Sequence, residues 1–191
     1  MIQTNCLSEI FFDRAIAQSQ ELDLYLKETG KTKGPLHGLP ISIKDNFNLV
    51  GYDSTVGFTS LVNDPATYNS TLVDLLLGAG AVLYCKTNVP TAMMIAESVN
   101  NVFGRTVNPR NRKLTSGGSS GGESALIAFG GSRIGVGTDI GEASPPKRFL
   151  LMMQVAHSAF RLLVLAFSLS DPRLDAFPTS KLVQGLRVRK R

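Results

Sequence analysis

Tryptophan is absent from the 191-residue chain, and only two cysteines and two histidines are present. Cys6 and Cys85 form no CxxC pair, so no disulfide framework of the secreted type is expected, and the expected setting is reducing and cytoplasmic. His37 and His157 lie far apart and outside any HExxH or Cys/His context, so no metal site is expected. Charge of one sign is scarce in one region only. Residues 145–191 hold 9 basic and 2 acidic groups, whereas residues 1–144 hold 11 basic and 13 acidic, so the formal charge of +5 belongs to the tail. No aromatic platform or groove-reading motif accompanies those basic residues, which argues against nucleic acid as a partner.

With 43% hydrophobic and 18% charged residues, the chain can bury one sizeable core. Apolar residues at three- and four-residue spacing from Leu7 to Leu26, behind Thr4 and Asn5 as candidate caps, predict an amphipathic helix ending near Gly30. Leu39 to Asp45 reads as a strand with Ile41 and Ile43 on one face and Ser42 and Lys44 on the other. A helix capped by Asn69 or Ser70 runs through Leu77 to the stop at Gly78 and Gly80, and residues 81–85 follow as a strand. That helix-then-strand order predicts a layered α/β fold. A short helix is expected over 92–96, a long loop over 98–122, a buried helix over 123–129 and a strand near 134–136.

Structureless loops of this length are often functional, which draws attention to Thr115-Ser-Gly-Gly-Ser-Ser-Gly-Gly-Glu-Ser124. Its glycines let the backbone approach a ligand, and its hydroxyls precede a helix N-terminus. A flexible linker is the plainer alternative. A phosphate loop is disfavoured, because GxxxxGK[ST] needs a lysine that is missing.

Five motifs occur in one order: Gly34-Pro-Leu-His-Gly-Leu-Pro-Ile-Ser-Ile-Lys-Asp45, Ala79-Gly-Ala-Val-Leu-Tyr-Cys-Lys-Thr-Asn88, Gly104-Arg-Thr-Val-Asn-Pro109, Gly117-Gly-Ser-Ser-Gly-Gly-Glu123 and Gly135-Val-Gly-Thr-Asp-Ile-Gly141. Together they resemble the amidase signature family over residues 4–141, and the wording around Thr4 to Phe12 and Asn108 to Glu123 is similar to its fungal acetamidase-like members. The resemblance implies an α/β domain with a mixed β-sheet flanked by helices. It also implies a Ser–Ser–Lys hydrolase of small carboxylic amides that forms an acyl-enzyme and uses no cofactor. By position, its lysine is Lys44, its bridging serine behind a cis peptide bond is Ser119, and its oxyanion-hole backbone is Ile140, Gly141 and the two residues after them.

Elementary chemistry is consistent with these implied roles. A lysine serves as a base near neutral pH only where burial disfavours its charged form. A serine hydroxyl both accepts and donates, so Ser119 could relay a proton, with Ser120 as a competing assignment. Lys44 has a plainer reading as a solvated partner of Asp45.

The resemblance fails at one decisive place. The family continues Gly-Thr-Asp-Ile-Gly with Gly-Ser-Ile-Arg, whereas this chain continues Gly137-Thr-Asp-Ile-Gly141 with Glu142-Ala-Ser-Pro145. The nucleophile position is therefore Ala143, whose methyl group cannot attack a carbonyl. Ser144 is one residue late, and Pro145 opposes the shift that would bring it into place.

The expected organisation is thus a partial amidase domain over 1–141 and a divergent basic and apolar tail over 142–191, with a gene-model break as one origin of the change. Phe149 to Leu169 approaches the length of a membrane span, but Arg161 near its centre costs about 2.5–3.5 kcal/mol on insertion. A buried or interfacial helix is favoured there over a span. The alternative function is a non-catalytic remnant or binding module whose tail meets a membrane or a partner.

Overall fold

The computed structural model describes residues 4–139, 148–154 and 162–168. Three α-helices and a six-stranded mixed sheet form the described part, as the fold class predicted. In chain order the elements are β1 (Leu7–Ile10), α1 (Phe12–Thr29), β2 (Pro40–Lys44), α2 (Thr71–Gly78) and β3 (Val82–Thr87). They are followed by β4 (Val99–Asn100), β5 (Gly104–Arg105), α3 (Gly121–Phe129), β6 (Ile134–Asp139), β7 (Arg148–Gln154) and β8 (Leu162–Ser168). The sheet order is β1-β3-β2-β6-β7-β8, with β4 and β5 as a separate two-stranded ribbon.

The centre of the sheet is parallel: β2 runs beside β3 on one side and β6 on the other, pairing Ser42 with Gly135 and Ile43 with Val136. Parallel strands are buried on both faces, and β2 is. Ile41 and Ile43 pack with Val73 and Leu76 of α2 and with Phe47, Leu49 and Leu83 in the largest apolar cluster. Ser42 and Lys44, on the alternate face, meet Glu123 of α3 and Ser119 just ahead of it. The period-two reading of this strand therefore holds, and it delivers two polar side chains to the α3 side.

Three local expectations give way. Residues 7–10 are the edge strand β1, antiparallel to β3, and the first helix begins at Phe12; Thr4 and Asn5 cap nothing there. Four residues of mixed polarity fit either period, and tertiary pairing decides between them. The helix does stop at Gly30, whose φ of +67° is the left-handed conformation that glycine adopts at a helix C-terminus. Over 92–96 there is only a 3₁₀ turn at Thr91–Met93, with positive φ at Ala92 and Met93.

The third difference lies in the tail. The expected helix over Phe149–Leu169 is replaced, within the described residues, by β7, which pairs antiparallel with β6, and β8, which pairs antiparallel with β7. A continuous apolar run has no period to separate helix from strand, and an open edge at β6 offers hydrogen bonds that favour the strand. Among the described residues, no helix is long and apolar enough to cross a membrane.

Candidate active site

Ligand sites in parallel sheets gather beyond the C-terminal ends of the strands, and this chain places its chemistry there. Lys44 is the last residue of β2, and Thr138 is next to last in β6. Lys44 Nζ lies 2.6 Å from Ser119 Oγ, 2.7 Å from Thr138 Oγ1 and 3.3 Å from the Thr138 carbonyl. Lys44 is fully buried, while Ser119 is half-buried, so the serine stands between the amine and the accessible side. The plainer reading of Lys44 as a solvated partner of Asp45 does not describe this geometry. Asp45 turns instead to the Val56 amide, at 2.8 Å.

The peptide bond between Gly118 and Ser119 is cis. Ser120, the competing serine, is occupied elsewhere: its hydroxyl donates to the Thr138 carbonyl at 3.0 Å and accepts from the Thr138 amide at 3.1 Å. Both of its capacities are used on one residue of β6, so Ser120 ties the serine loop to the strand and Ser119 alone faces the lysine. Ile140, Gly141, Ala143 and Ser144 lie outside the described residues.

The serine loop is held from beneath by buried polar groups that the sequence did not single out. Ser98 Oγ donates to the Gly117 carbonyl at 3.1 Å and accepts from the Gly121 amide at 3.0 Å. Asn88, at the end of β3, is fully buried; its amide nitrogen donates to the carbonyls of Asn5 and Gly104 and to Thr106 Oγ1. Its side-chain oxygen accepts from the Val89 amide and from Asn100 Nδ2. Its carbonyl accepts from the Gly122 amide at 3.1 Å, and a Cβ at Gly122 would strike the Asn88 backbone, so glycine lets the start of α3 sit directly on β3. The long loop of the sequence reading is thus a pinned structure rather than a flexible linker.

Glu123 is a further residue that the sequence did not single out. Ser120-Gly-Gly-Glu123 has the spacing of a capping box, yet α3 has no side-chain cap at Ser120. Glu123 instead enters the protein, fully buried, against Ser42 Oγ and at 2.8 Å from Thr87 Oγ1. Burial pushes its carboxyl up to about 7, with the Thr87 hydroxyl and the Lys44 charge pulling the other way. A Cβ at Gly135 would fall on this carboxyl group. Gly135→Ala is therefore expected to cost about 1–3 kcal/mol, and distinctly less when Glu123→Ala is present in the same chain. A double-mutant cycle by urea unfolding checks both values.

A second fully buried lysine, Lys86 of β3, has no part in this arrangement. Its ammonium donates to the Asp53 carbonyl and to Ser54 Oγ at 2.7 Å, fastening the loop after β2. Burial draws its amine down to about 8, although Asp45, Glu9 and Asp53 pull the other way. Among the described residues, no group of three or more His, Cys, Asp or Glu side chains could hold a metal ion.

Comparison with known proteins points to one family. A profile of the amidase family, described as "Amidase", matches residues 2–143. An amidase of Gibberella moniliformis is 54% identical over 138 residues, covering 72% of this chain and 26% of its own length. An acetamidase of Emericella nidulans is 51% identical over 138 residues, covering 72% and 25%. A fatty acid amide hydrolase of known structure superposes with a TM-score of 0.70 at 45% identity, covering 72% of this chain and 24% of the other. The chain therefore spans about a quarter of the length of the relatives it matches. The profile match takes in Lys44, Ser119 and Thr138, and the chain belongs to the amidase family.

Proposed function

We propose that this chain carries the proton-relay half of a Ser–Ser–Lys amide hydrolase and, with Ala143 at the nucleophile position, does not itself turn over amides. The single observation that carries this reading is the buried Lys44 Nζ 2.6 Å from Ser119 Oγ, in a chain that offers no hydroxyl two residues after Gly141.

In a family member with serine at that position, the steps follow from the roles assigned here. The neutral Lys44 amine takes the Ser119 proton while Ser119 takes the nucleophile's proton, and the nucleophile oxygen bonds to the amide carbon. Backbone amides from Ile140 onward stabilise the oxyanion. The relay then runs in reverse, the C–N bond breaks, and the amine leaves with the returned proton. Water repeats the attack on the acyl-enzyme and releases the carboxylic acid. Thr138, which accepts from Lys44 through both its hydroxyl and its carbonyl, aims the amine at Ser119.

Here the relay has no oxygen to deprotonate. Removing the nucleophile typically leaves only the residual catalysis of binding and oxyanion stabilisation, and Glu142 adds a carboxylate where negative charge must develop. The purified chain is expected to release no ammonia from acetamide above background and to take no label from a serine-directed fluorophosphonate. Hydrolysis at a rate abolished by Lys44→Ala would overturn this reading.

A further inference from the structure

Ser42 has one hydroxyl proton and two neighbours that could accept it. Its oxygen lies against Glu123 Oε1 and 3.0 Å from Ser132 Oγ. The Ser132 proton is already engaged, because Ser132 Oγ donates to the Ile134 carbonyl at 2.7 Å and a carbonyl can only accept. Ser132 can therefore serve Ser42 only as an acceptor, and the Ser42 proton then points away from Glu123. The close contact between Ser42 and Glu123 needs a proton of its own, and the carboxyl group is its one source. Thr87 Oγ1, at 2.8 Å, donates to the second carboxyl oxygen.

From this directed chain we propose that Glu123 is carried as a neutral carboxylic acid, donating to Ser42 Oγ, and that it is a positioning residue for Lys44. Ser42 and Lys44 are alternate residues of β2 on one face, so the acid grips the strand that presents the amine. A carboxylate in the same place would favour the ammonium form of its buried neighbour, whereas a neutral acid adds no such charge. Glu123 thus sets both the placement and the electrostatic surroundings of the proton acceptor.

The groups around Glu123 admit this state. Ser42 and Lys44 come from β2, Tyr84, Cys85 and Thr87 from β3, Cys6 from the segment before β1, and Ser132 from the turn after α3. Lys44 is the one cation among them. Burial pushes the Cys6, Cys85 and Tyr84 groups upward, so all three stay neutral through the neutral range.

The inference rests on Lys44 being the proton acceptor, but its test reads protons rather than turnover, so the two can fail separately. The full chain is labelled with ¹³C at glutamate carboxyl and lysine ε positions and titrated by NMR, with Glu123→Gln assigning the glutamate signal. The expected result is one carboxyl, missing in Glu123→Gln, that still holds its proton at neutral pH, where the other glutamates have ionised. The Lys44 signal is expected to inflect at the same pH, and that inflection to vanish in Glu123→Gln.

Ser42→Ala removes the acceptor of the acid's proton, and Ser132→Ala frees Ser42 to donate to a carboxylate. Each is expected to lower the Glu123 midpoint. An ordinary glutamate midpoint in the unmodified chain would overturn the proposal. So would a midpoint that rises in Ser42→Ala or is unmoved in Ser132→Ala, and so would a Lys44 signal indifferent to Glu123. Should a variant fail to fold, coincidence of the two inflections in the unmodified chain still decides.

Discussion

A chain in which residues 142–191 are replaced by the corresponding continuation of the Emericella nidulans acetamidase is expected to hydrolyse acetamide, while Ala143→Ser alone is expected to stay inactive. In the active chain, Lys44→Ala and Ser119→Ala should each lower kcat/KM by about 10²-fold or more, as members of one proton relay. Their double variant should lose little beyond either one, since a relay broken at one member is already broken. The reason lies in the geometry. Lys44, Ser119 and Thr138 are assembled at 2.6 and 2.7 Å, so what is missing sits beyond Gly141 and not in this half. A single serine at position 143 would still follow Glu142 in sequence, where the family has glycine, and precede Pro145, whose φ is fixed. Activity of the Ala143→Ser variant approaching that of the replaced chain would show that this continuation supports the chemistry.

The second large effect is expected far from any reacting atom. Asn88→Ala should destabilise the protein by about 3–5 kcal/mol, because a buried donor or acceptor left without a partner costs about 1–3 kcal/mol each. The Val89 amide and the Gly104 carbonyl lose the partners that Asn88 provides, and Asn100 Nδ2 keeps only the Val89 carbonyl. Asn5 fares better, since its carbonyl also accepts from Thr106 Oγ1 at 2.7 Å. Asn88→Asp should be little better, as it sets a buried carboxylate against the carbonyls of Asn5 and Gly104. Urea unfolding gives the loss directly, and hydrogen exchange at Ser98 and Gly121 tells whether the serine loop loosens with it. A loss below about 1 kcal/mol would mean that water replaces the network at little cost.

How much of this was legible beforehand depended on whether a residue speaks through its neighbours in sequence or through distant ones. The face carrying Ser42 and Lys44 follows from the alternation with Ile41 and Ile43, and the end of α1 from Gly30. The pairing of Lys44 with Ser119, 75 residues apart, could not come from periodicity; only the ordered motifs implied it. They left Ser119 and Ser120 as rivals, and it took the two bonds between Ser120 and Thr138 to separate them.

Asn88 and Glu123 were overlooked for the same physical reason. Both are polar residues in polar stretches, and only the packing of α3 on β3 and β2 makes them buried. Capping-box spacing ahead of Glu123 would even have pointed to a surface role. In the tail, the apolar runs that form β7 and β8 carry length and hydropathy but no period, so the expectation of a helix had no internal check.

Intact-mass spectrometry after incubation with a serine-directed fluorophosphonate bears most directly on the claim that this chain holds an assembled relay without a nucleophile. The chain itself is expected to keep its unmodified mass, and the chain with the acetamidase continuation to gain one adduct, mapping to the serine that replaces Ala143. An adduct on Ser119, Ser120 or Ser144 of the unaltered chain would supply the nucleophile that this account says is absent, and would contradict it.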